Sequence, residues 1–253
     1  MAASLMTPFM LGEHHLTTAI LSALPEEQTG LLSLLQNPER TVRAGRAFWR
    51  GTLHHKPVVL ALSRIGKVAA ATTATVLIEH FGVNQILFTG LAGGLADHVQ
   101  VGDVVVGTHY IQHDLDASPL FPRYEVPSYG LQQFAADAPL LAAVVTAAQQ
   151  YRADFQGANA FQIHQGLIAS GDRFVSSAAE VKILREALPN ALCVEMEGAA
   201  VAQVCCDFKI PFVAVRTISD RADDTAHVDF ASFMHDVAGP YSVGLVHAWM
   251  RAR

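Results

Sequence analysis

Two patterns of apolar residues occur along the chain: short continuous apolar runs, and longer segments in which apolar residues recur every three or four positions. Segments of the two kinds follow one another along almost the whole chain. Short apolar runs bounded by Gly, Pro or polar residues predict buried strands. Strands that alternate with helices are typical of a layered α/β fold. The strands predicted in this way cover residues 18–24, 44–52, 56–63, 85–89, 103–112, 163–169 and 211–215.

Longer segments, with apolar residues three and four positions apart, predict helices. In one of them Ser177 and Glu180 form a capping box, which marks a helix N-terminus. The predicted helices cover residues 67–80, 137–150, 177–188, 198–208 and 227–253, the last with a break near Gly239. Two segments with neither period are predicted to be irregular, a charged turn at residues 25–28 and a long loop at residues 113–130.

The composition narrows the class of protein. The chain has 253 residues, of which 51% are hydrophobic and 16% charged, and this excludes a disordered chain, a coiled coil and a small disulfide scaffold. We expect one α/β domain over residues 17–253, preceded by an N-terminal extension at residues 1–16. Because 23 acidic residues outnumber 17 Lys and Arg to give a net charge of −6, we expect no nucleic-acid partner.

The sequence also indicates the cellular compartment of the protein. The apolar stretch at residues 81–96 contains polar side chains and four glycines, so it predicts a buried strand and loop rather than a membrane span. The three cysteines are odd in number, and Cys205 and Cys206 are neighbours on a predicted helix, where they pair poorly. We therefore expect no membrane association and a reduced, cytoplasmic compartment.

Four polar clusters follow predicted strands, at the edge of the sheet where open α/β folds bind ligands. Since the carboxyl ends of neighbouring parallel strands meet at that edge, we expect the clusters to form one site. The clusters are Glu26 and Glu27, the glycine-rich segment at residues 90–94, Glu195 with Met196 and Glu197, and Ser219 with Asp220.

Each cluster has two interpretations when it is taken alone. Glu195 and Glu197 precede a helix, where acids stabilise the helix dipole. The small apolar residues after Glu197 instead predict a buried carboxylate that needs partners, such as the paired hydroxyls of a sugar. Asp220 is either a cap or loop acid or a functional acid, and Phe174 is either a core residue or a stacking platform for a heterocycle.

Several other kinds of site are not indicated. The glycine-rich segment matches neither the dinucleotide fingerprint nor a P-loop, and no Gly-x-Ser-x-Gly elbow of a serine hydrolase occurs. His113, Asp114 and Asp116 are not spaced for one helix face, and no second His or Cys cluster completes a tetrahedral site. We therefore expect no metal and no cofactor.

Taken together and in order, the motifs resemble the nucleoside phosphorylase/nucleosidase superfamily, and within it the bacterial 5′-methylthioadenosine/S-adenosylhomocysteine nucleosidases. The resemblance runs from about Thr17 to the last helix. The matching stretches are Ser22-Ala-Leu-Pro-Glu-Glu27, Ile65-Gly-Lys-Val-Ala-Ala70, Thr89-Gly-Leu-Ala-Gly-Gly-Leu95, Val101-Gly-Asp-Val-Val105, His113-Asp114, Ser170-Gly-Asp-Arg-Phe174, Val194-Glu-Met-Glu197 and Ile218-Ser-Asp220.

The resemblance implies a fold and an activity. The fold would be a three-layer α/β/α sandwich around a central twisted, mixed and partly barrel-like β-sheet, usually in a homodimer. The activity would be hydrolysis of the N-glycosidic bond of 5′-methylthioadenosine, S-adenosylhomocysteine or a close relative, with release of adenine. In this pattern Glu27 matches the general base that activates water, and Asp220 matches the acid that protonates the purine N7.

The resemblance also implies a set of substrate-binding residues. Glu197 matches the residue that holds the ribose hydroxyls, with Met196 packed on the sugar. Phe174 matches the stacking aromatic residue, and the backbone of Val175 matches the edge that recognises adenine. The other implied site residues are Arg216 and Ser219, which support the water and the acid, together with Ile65, Ala92, Gly93 and Glu195.

Three residues depart from the family pattern, and three further functions remain open. Pro25 replaces an acid, Arg173 stands where a small residue is common, and Leu91 stands where Ser is common.

A phosphorylase of this superfamily would carry an Arg at the position of Phe88 to bind phosphate. Arg64, just before Ile65, offers another positive charge, so a phosphorylase remains the first alternative. A nucleosidase for a related nucleoside, such as a futalosine-type substrate, is the second possibility. The third is a nucleoside-binding or storage protein, which we would expect to lack one of the two acids.

Overall fold

A computed structural model describes residues 16–155, 161–223, 226, 233 and 239–253. Nearly all of the expected N-terminal extension, and most of the helical tail expected before Gly239, lie outside the described residues. Within the described part of the chain, no helix is long and apolar enough to cross a membrane.

The described residues form one ten-stranded mixed sheet. Its strands are β1 (Thr18–Ser22), β2 (Gln36–Arg43), β3 (Arg46–Leu53), β4 (Lys56–Leu62), β5 (Gln85–Gly94), β6 (Val104–Gln112), β7 (Gln133–Ala135), β8 (Ile163–Ser170), β9 (Ala191–Glu195) and β10 (Phe212–Asp220). The order is β10-β6-β8-β9-β5-β1-β4-β3-β2, with β7 beside β6. Because β10 also pairs with β5, the first five strands of this order close on themselves like a small barrel.

Helices cover both faces of the sheet. They are α1 (Pro25–Leu34), α2 (Lys67–Phe81), α3 (Ala138–Asp154), α4 (Ala178–Ala187), α5 (Gly198–Phe208) and α6 (Gly239–Ala252). Helices α2 and α5 pack together on one face, and α1, α3 and α6 pack together on the other. This arrangement confirms the three-layer α/β/α sandwich with a mixed sheet that the sequence predicts.

Successive side chains of each strand point to opposite faces of the sheet, and they fill a separate hydrophobic core on each face. In β1, Ala19 and Leu21 face the core under α2 and α5, whereas Ile20 faces the core under α1, α3 and α6. In β10, Ala214 and Val215 divide in the same way. Since both faces are covered, both sets of side chains are apolar, and for this reason the strands read as continuous apolar runs.

Most predicted elements lie where the sequence places them, but two local predictions are wrong. Residues 25–28 are the first turn of α1 rather than a turn between elements. Residues 90–94 continue β5 rather than forming a loop after it, because their backbone pairs with β9 and β10. The sequence analysis also missed the strands β2 and β7, and it gave no range for β9, the strand that precedes the Glu195 cluster. The segment at residues 113–130 is irregular, as predicted.

Strand β5 positions the functional site. It runs parallel to β1 and β10 on its two sides, so the carboxyl ends of all three strands lie at one edge of the sheet. At that edge Gly93 pairs with Asp220 of β10 and with Val194 of β9. The polar residues that follow β1, β9 and β10 therefore converge at the end of β5.

Candidate active site

A cavity of about 400 Å³ opens at the carboxyl ends of β1, β5, β9 and β10. It is lined by every residue to which the family resemblance gives a site role, except Arg216. Of the four polar clusters, Glu26, Gly90 and Gly94 do not line it. Its lining residues are Ala23, Leu24, Glu27, Ile65, Leu91, Ala92, Gly93, Arg173, Phe174, Val175, Val194, Glu195, Met196, Glu197, Ser219 and Asp220.

Glu27 lies in the first turn of α1 and points back into the cavity. Its Oε2 accepts hydrogen bonds from the backbone N–H groups of Ala23 (2.8 Å) and Leu24 (3.0 Å), and its Oε1 accepts one from Leu91 (3.1 Å). Only 1% of the residue is exposed. This burial raises the pKa of Glu27 above its ordinary value, while the three backbone donors and the charge of Arg216 act in the opposite direction.

Asp220, the last residue of β10, lies at the other side of the cavity. Its Oδ2 accepts a hydrogen bond from the hydroxyl of Ser219 and its Oδ1 accepts one from the N–H of Ala222, both at 2.7 Å. Gly93 is required beside it, because a Cβ at that position would lie 2.8 Å from the Cβ of Ala222 and 2.9 Å from Oδ1 of Asp220. The glycine-rich end of β5 thus allows β10 to approach closely.

Glu197 lies at the N-terminus of α5, with its side chain directed to the start of α2. Its Oε1 accepts a hydrogen bond of 2.9 Å from the backbone N–H of Gly66. Burial, and then the nearby charge of Glu195, raise the pKa of Glu197 to about 8. A carboxyl that is protonated near neutral pH both donates and accepts hydrogen bonds, which suits a pair of hydroxyl groups.

Glu195 and Arg216 form a buried ion pair at the wall of the cavity. Oε2 of Glu195 accepts hydrogen bonds from Nη2 (2.6 Å) and Nε (3.2 Å) of Arg216. Glu195 also accepts hydrogen bonds from the hydroxyl of Ser170 and the N–H of Gly198. The guanidinium of Arg216 stacks 4.1 Å from the ring centroid of Phe88, so Arg216 lies behind the lining residues instead of among them.

Partly exposed apolar side chains surround the opening. Phe174 is 42% exposed and Ile65 is 58% exposed, and both line the cavity together with Met196 and the buried Val175. A flat apolar ligand inserted here would cover surface that is now in contact with solvent. These exposures fit a binding site better than a core position for Phe174.

Hydrogen bonds outside the cavity hold the start of α2 in place. The backbone N–H of Lys67 donates to Oδ1 of Asp172 (2.7 Å), and the Nζ of Lys67 pairs with Oδ1 of Asp114 (2.6 Å). The N–H of Asp172 in turn donates to Oδ2 of Asp114 (2.8 Å). This network fixes Ile65 and Gly66 against the opening, and it gives Asp114 a structural role.

The cavity also contains residues that the sequence analysis did not assign to the site. Ala23, Leu24 and Val194 lie within the matching motifs, but their type gave no chemical signal. Leu91 and Arg173 were identified as departures from the family pattern, and both line the cavity. Leu91 is 9% exposed, whereas the side chain of Arg173 is 75% exposed and pairs with Glu180.

Comparison with known proteins agrees with the fold. The sequence profile described as "Phosphorylase superfamily" matches residues 17–246. The chain belongs to this superfamily. The resemblance to its 5′-methylthioadenosine/S-adenosylhomocysteine nucleosidases, inferred from the motifs, is confirmed by the relatives described next.

Two curated relatives carry that nucleosidase name. The protein of Anoxybacillus flavithermus is 39% identical over 87% of this chain and 92% of its own length. The protein of Shewanella denitrificans is 39% identical over 90% of this chain and 96% of its own length.

Two solved structures have the same fold. The 5′-methylthioadenosine/S-adenosylhomocysteine nucleosidase of Neisseria meningitidis, in complex with methylthio-immucillin-A, has a TM-score of 0.87 and 36% identity, covering 94% of this chain and 100% of its own. The futalosine hydrolase of Helicobacter pylori has a TM-score of 0.87 and 32% identity, covering 96% of this chain and 100% of its own.

Proposed function

We propose that the protein hydrolyses the N-glycosidic bond of 5′-methylthioadenosine, S-adenosylhomocysteine or both, and releases adenine. One observation carries the proposal: two buried carboxyl groups, Glu27 and Asp220, line the same cavity, and a third, Glu197, lines it with them. The names of the relatives support the same activity. A storage protein would have no use for the two acids at these places.

Glu27 serves as the general base that activates water. Burial raises its pKa, and a carboxylate with a raised pKa takes a proton more readily from water. Its three backbone donors keep the side chain in one orientation during this transfer. The water then attacks the anomeric carbon from the side of the ribose that faces Glu27.

Asp220 serves as the general acid. It delivers a proton to N7 of the purine, so that adenine leaves as a neutral base while the sugar becomes oxocarbenium-like. The hydroxyl of Ser219 and the N–H of Ala222 orient the carboxyl toward the base. A base and an acid on the two sides of the bond each contribute about 10²–10⁴-fold to the rate.

Glu197 binds the ribose hydroxyls, and Phe174 stacks on the adenine. Substrate hydroxyls supply the buried carboxyl of Glu197 with hydrogen-bond partners in addition to Gly66. Arg216 and Glu195 are positioning residues in this proposal, because their ion pair joins β10 to β9 behind the reacting groups.

Water is favoured over phosphate as the nucleophile. The lining near Glu27 is apolar, with Ala23, Leu24 and Leu91. Among the described residues that line the cavity, Arg173 is the only cation, and it is exposed and paired with Glu180. Arg216 is already paired with Glu195. A phosphate dianion would therefore find no free cation in the described lining, and the N-termini of α1, α2 and α5 already donate to the carboxyl groups of Glu27, Glu197 and Glu195.

The test is a nucleobase-release assay on a panel of nucleosides, with and without phosphate. We expect adenine from 5′-methylthioadenosine at a rate independent of phosphate, with free methylthioribose as the sugar product. Methylthioribose 1-phosphate as the main product would place the protein among the phosphorylases. The panel includes a futalosine-type nucleoside, because the similarity to the Helicobacter pylori futalosine hydrolase favours that substrate as a second candidate.

We further propose that the protein is a cytoplasmic homodimer. The free cysteines Cys193, Cys205 and Cys206 support a reducing compartment. Exposed apolar side chains support a partner surface, since Val68 is 77% and Leu120 84% exposed. Light scattering on the purified protein measures the mass, and a monomer at micromolar concentration would contradict the dimer.

A further inference from the structure

His113 is a buried residue of the matching motifs that has no role in the proposed function. It directly follows β6, and its Nε2 is buried without a hydrogen-bond partner among the described residues. A buried polar nitrogen without a partner is uncommon in proteins, because it has lost its hydrogen bonds to water. The imidazole is therefore held at this place against a cost of desolvation.

The imidazole of His113 packs directly on the backbone of Gly171. A Cβ at residue 171 would overlap Nε2 of the ring and lie 2.5 Å from its Cε1. The φ of Gly171 is not in the left-handed region, so the backbone conformation does not require glycine there. Glycine at this position instead makes room for the ring.

The contact supports the segment that carries the proposed stacking residue. We call residues 170–174 the stacking segment, because they end in that aromatic side chain. The backbone N–H of His113 donates a hydrogen bond to the carbonyl of Ser170 (2.9 Å), and the N–H of Gly171 donates one to the carbonyl of Glu195 (3.1 Å). The stacking segment is thus held between the end of β6 and the end of β9, with the imidazole against it.

The surroundings of the ring favour its neutral form. Burial lowers the pKa of His113 below the ordinary value of 6.5, and the charge of Lys67 acts in the same direction, whereas Asp114 and Glu195 act in the opposite direction. These charged groups face the ring from α2, from the residue after His113 and from β9. Both carboxylates already have cationic partners, because Asp114 pairs with Lys67 and Glu195 pairs with Arg216. A proton on Nε2 would find no acceptor among the described residues.

We infer that His113 is a positioning residue, which holds the stacking segment and hence Phe174 in place for substrate binding only while its imidazole is neutral. When Nε2 takes up a proton from water, the charged ring must regain hydration, and it does so by leaving its contact with Gly171. The stacking segment then loses this support, and the base loses a fixed aromatic surface. The inference rests on the proposed function and adds to it a control of substrate binding by pH.

The test compares the parent protein with His113→Gln, whose side chain reaches about as far as the imidazole and does not titrate. The measured quantity is the rise in KM for 5′-methylthioadenosine from about pH 7.5 to about pH 5.5, one unit on each side of the ordinary pKa of histidine. We expect this rise to be at least about threefold larger in the parent, since uptake of one proton allows about tenfold per pH unit. Titration of Glu27, Glu197 and Asp220 is common to both proteins, so kcat should change equally in both.

His109→Gln is the matched control, because it removes an exposed histidine from the neighbouring strand β6. Its rise in KM should equal that of the parent. If His113→Gln does not fold, His113→Asn carries the same comparison with a shorter side chain. Equal rises in the parent and in the variant at His113, or an equal reduction in His109→Gln, would overturn the inference.

Hydrogen exchange in the ligand-free protein measures the stacking segment without catalysis. Protection of its backbone N–H groups, corrected for the intrinsic effect of pH on exchange, should fall between the two pH values in the parent and not in His113→Gln. Equal protection in the parent at both pH values would also overturn the inference. The expected exchange in a parent protein that releases no adenine from 5′-methylthioadenosine would instead overturn the proposed function.

Discussion

Single carboxyl groups set the chemistry of the cavity. Glu27, Glu197 and Asp220 are 1%, 5% and 2% exposed, and each accepts hydrogen bonds from backbone N–H groups. Arg216, a buried cation close to them, is paired with Glu195. Backbone donors hold each of the three carboxyl groups in one orientation, and the ion pair holds Glu195 against Arg216. These contacts support the proposed proton-transfer roles of Glu27 and Asp220 and the proposed positioning role of Glu195.

Replacing either proposed catalytic acid should separate turnover from binding. We expect Asp220→Asn and Glu27→Gln each to lower kcat at least about 10²-fold, the scale of losing a general acid or base. Both variants keep the size of the side chain and one of its two acceptor oxygens, so we expect them to fold and bind a substrate analogue. Steady-state kinetics, thermal unfolding and calorimetric titration check this. Near-normal turnover with an unchanged Tm would show that the residue has another role.

Leu91 should decide how the site responds to anions. Its N–H holds Glu27 and its side chain lines the cavity, so a hydroxyl at this position would offer a donor to phosphate or sulfate. We expect Leu91→Ser to keep hydrolysis within about tenfold, since Glu27 and Asp220 remain, and to be inhibited more strongly by both anions. Leu91→Val is the control that keeps the lining apolar. Equal inhibition constants in the three proteins would leave Leu91 with a packing role only.

At the scale of secondary structure, the sequence predicts the strands with two buried faces and misses the polar or very short ones. Strand β2 carries Pro38 together with Glu39, Arg40 and Arg43 and is exposed along nearly all its length, so it has no apolar pattern. Strand β7 has three residues, too few to show a period. The end of β5 was predicted as a loop because glycines are typical of turns; here Gly93 is needed for close contact with β10.

The same limits apply to the candidate site. The motifs place Glu27, Glu197 and Asp220 in one predicted site although they are far apart in the chain, because they follow strands whose ends meet at one edge of the sheet. They do not reveal that Arg216 lies behind the cavity wall, since its orientation depends on the ion pair with Glu195.

The contact between β5 and β10 should be sensitive to one methyl group. In Gly93→Ala the new Cβ would meet Ala222 and Asp220, and the end of β10 must move. We expect kcat to fall at least about tenfold, since small displacements of a catalytic group are costly. Gly94→Ala is the neighbouring control, because its Cβ meets first a methyl group of Ile218 at 3.3 Å. Equal losses of kcat in the two variants would argue against displacement of Asp220 as the cause.

At the scale of the whole molecule, buried carboxyl groups link stability to pH. The pKa of Glu197 is about 8 in the folded protein, against 4.5 ordinarily, and burial raises that of Glu27 as well. The folded state therefore keeps protons that the unfolded chain has already released. It follows that the free energy of unfolding decreases as pH rises from about 4.5 through about 8.

Glu197→Gln should remove part of this dependence. The amide resembles the protonated carboxyl and does not titrate, so the Tm of the variant should equal that of the parent protein near pH 4.5 and exceed it above pH 8. Each kcal/mol corresponds to about 2–4 °C in a chain of this size. Thermal scans over this pH range measure the difference. Glu39→Gln, at an exposed residue of β2, is the control; Tm curves that stay parallel for Glu197→Gln and the parent would contradict the linkage.

The position of β5 between β1 and β10 has a consequence for protein synthesis. The ribosome delivers Glu27 early and Asp220 late, and the two acids meet only when β10 joins the open edge of β5. A nascent or truncated chain that lacks β10 would have the proposed base without the proposed acid, and we expect it not to cleave nucleosides. Such a chain would also expose the apolar edge of β5, which is a template for aggregation. Catalysis and solubility are thus both gained at the same late step of translation.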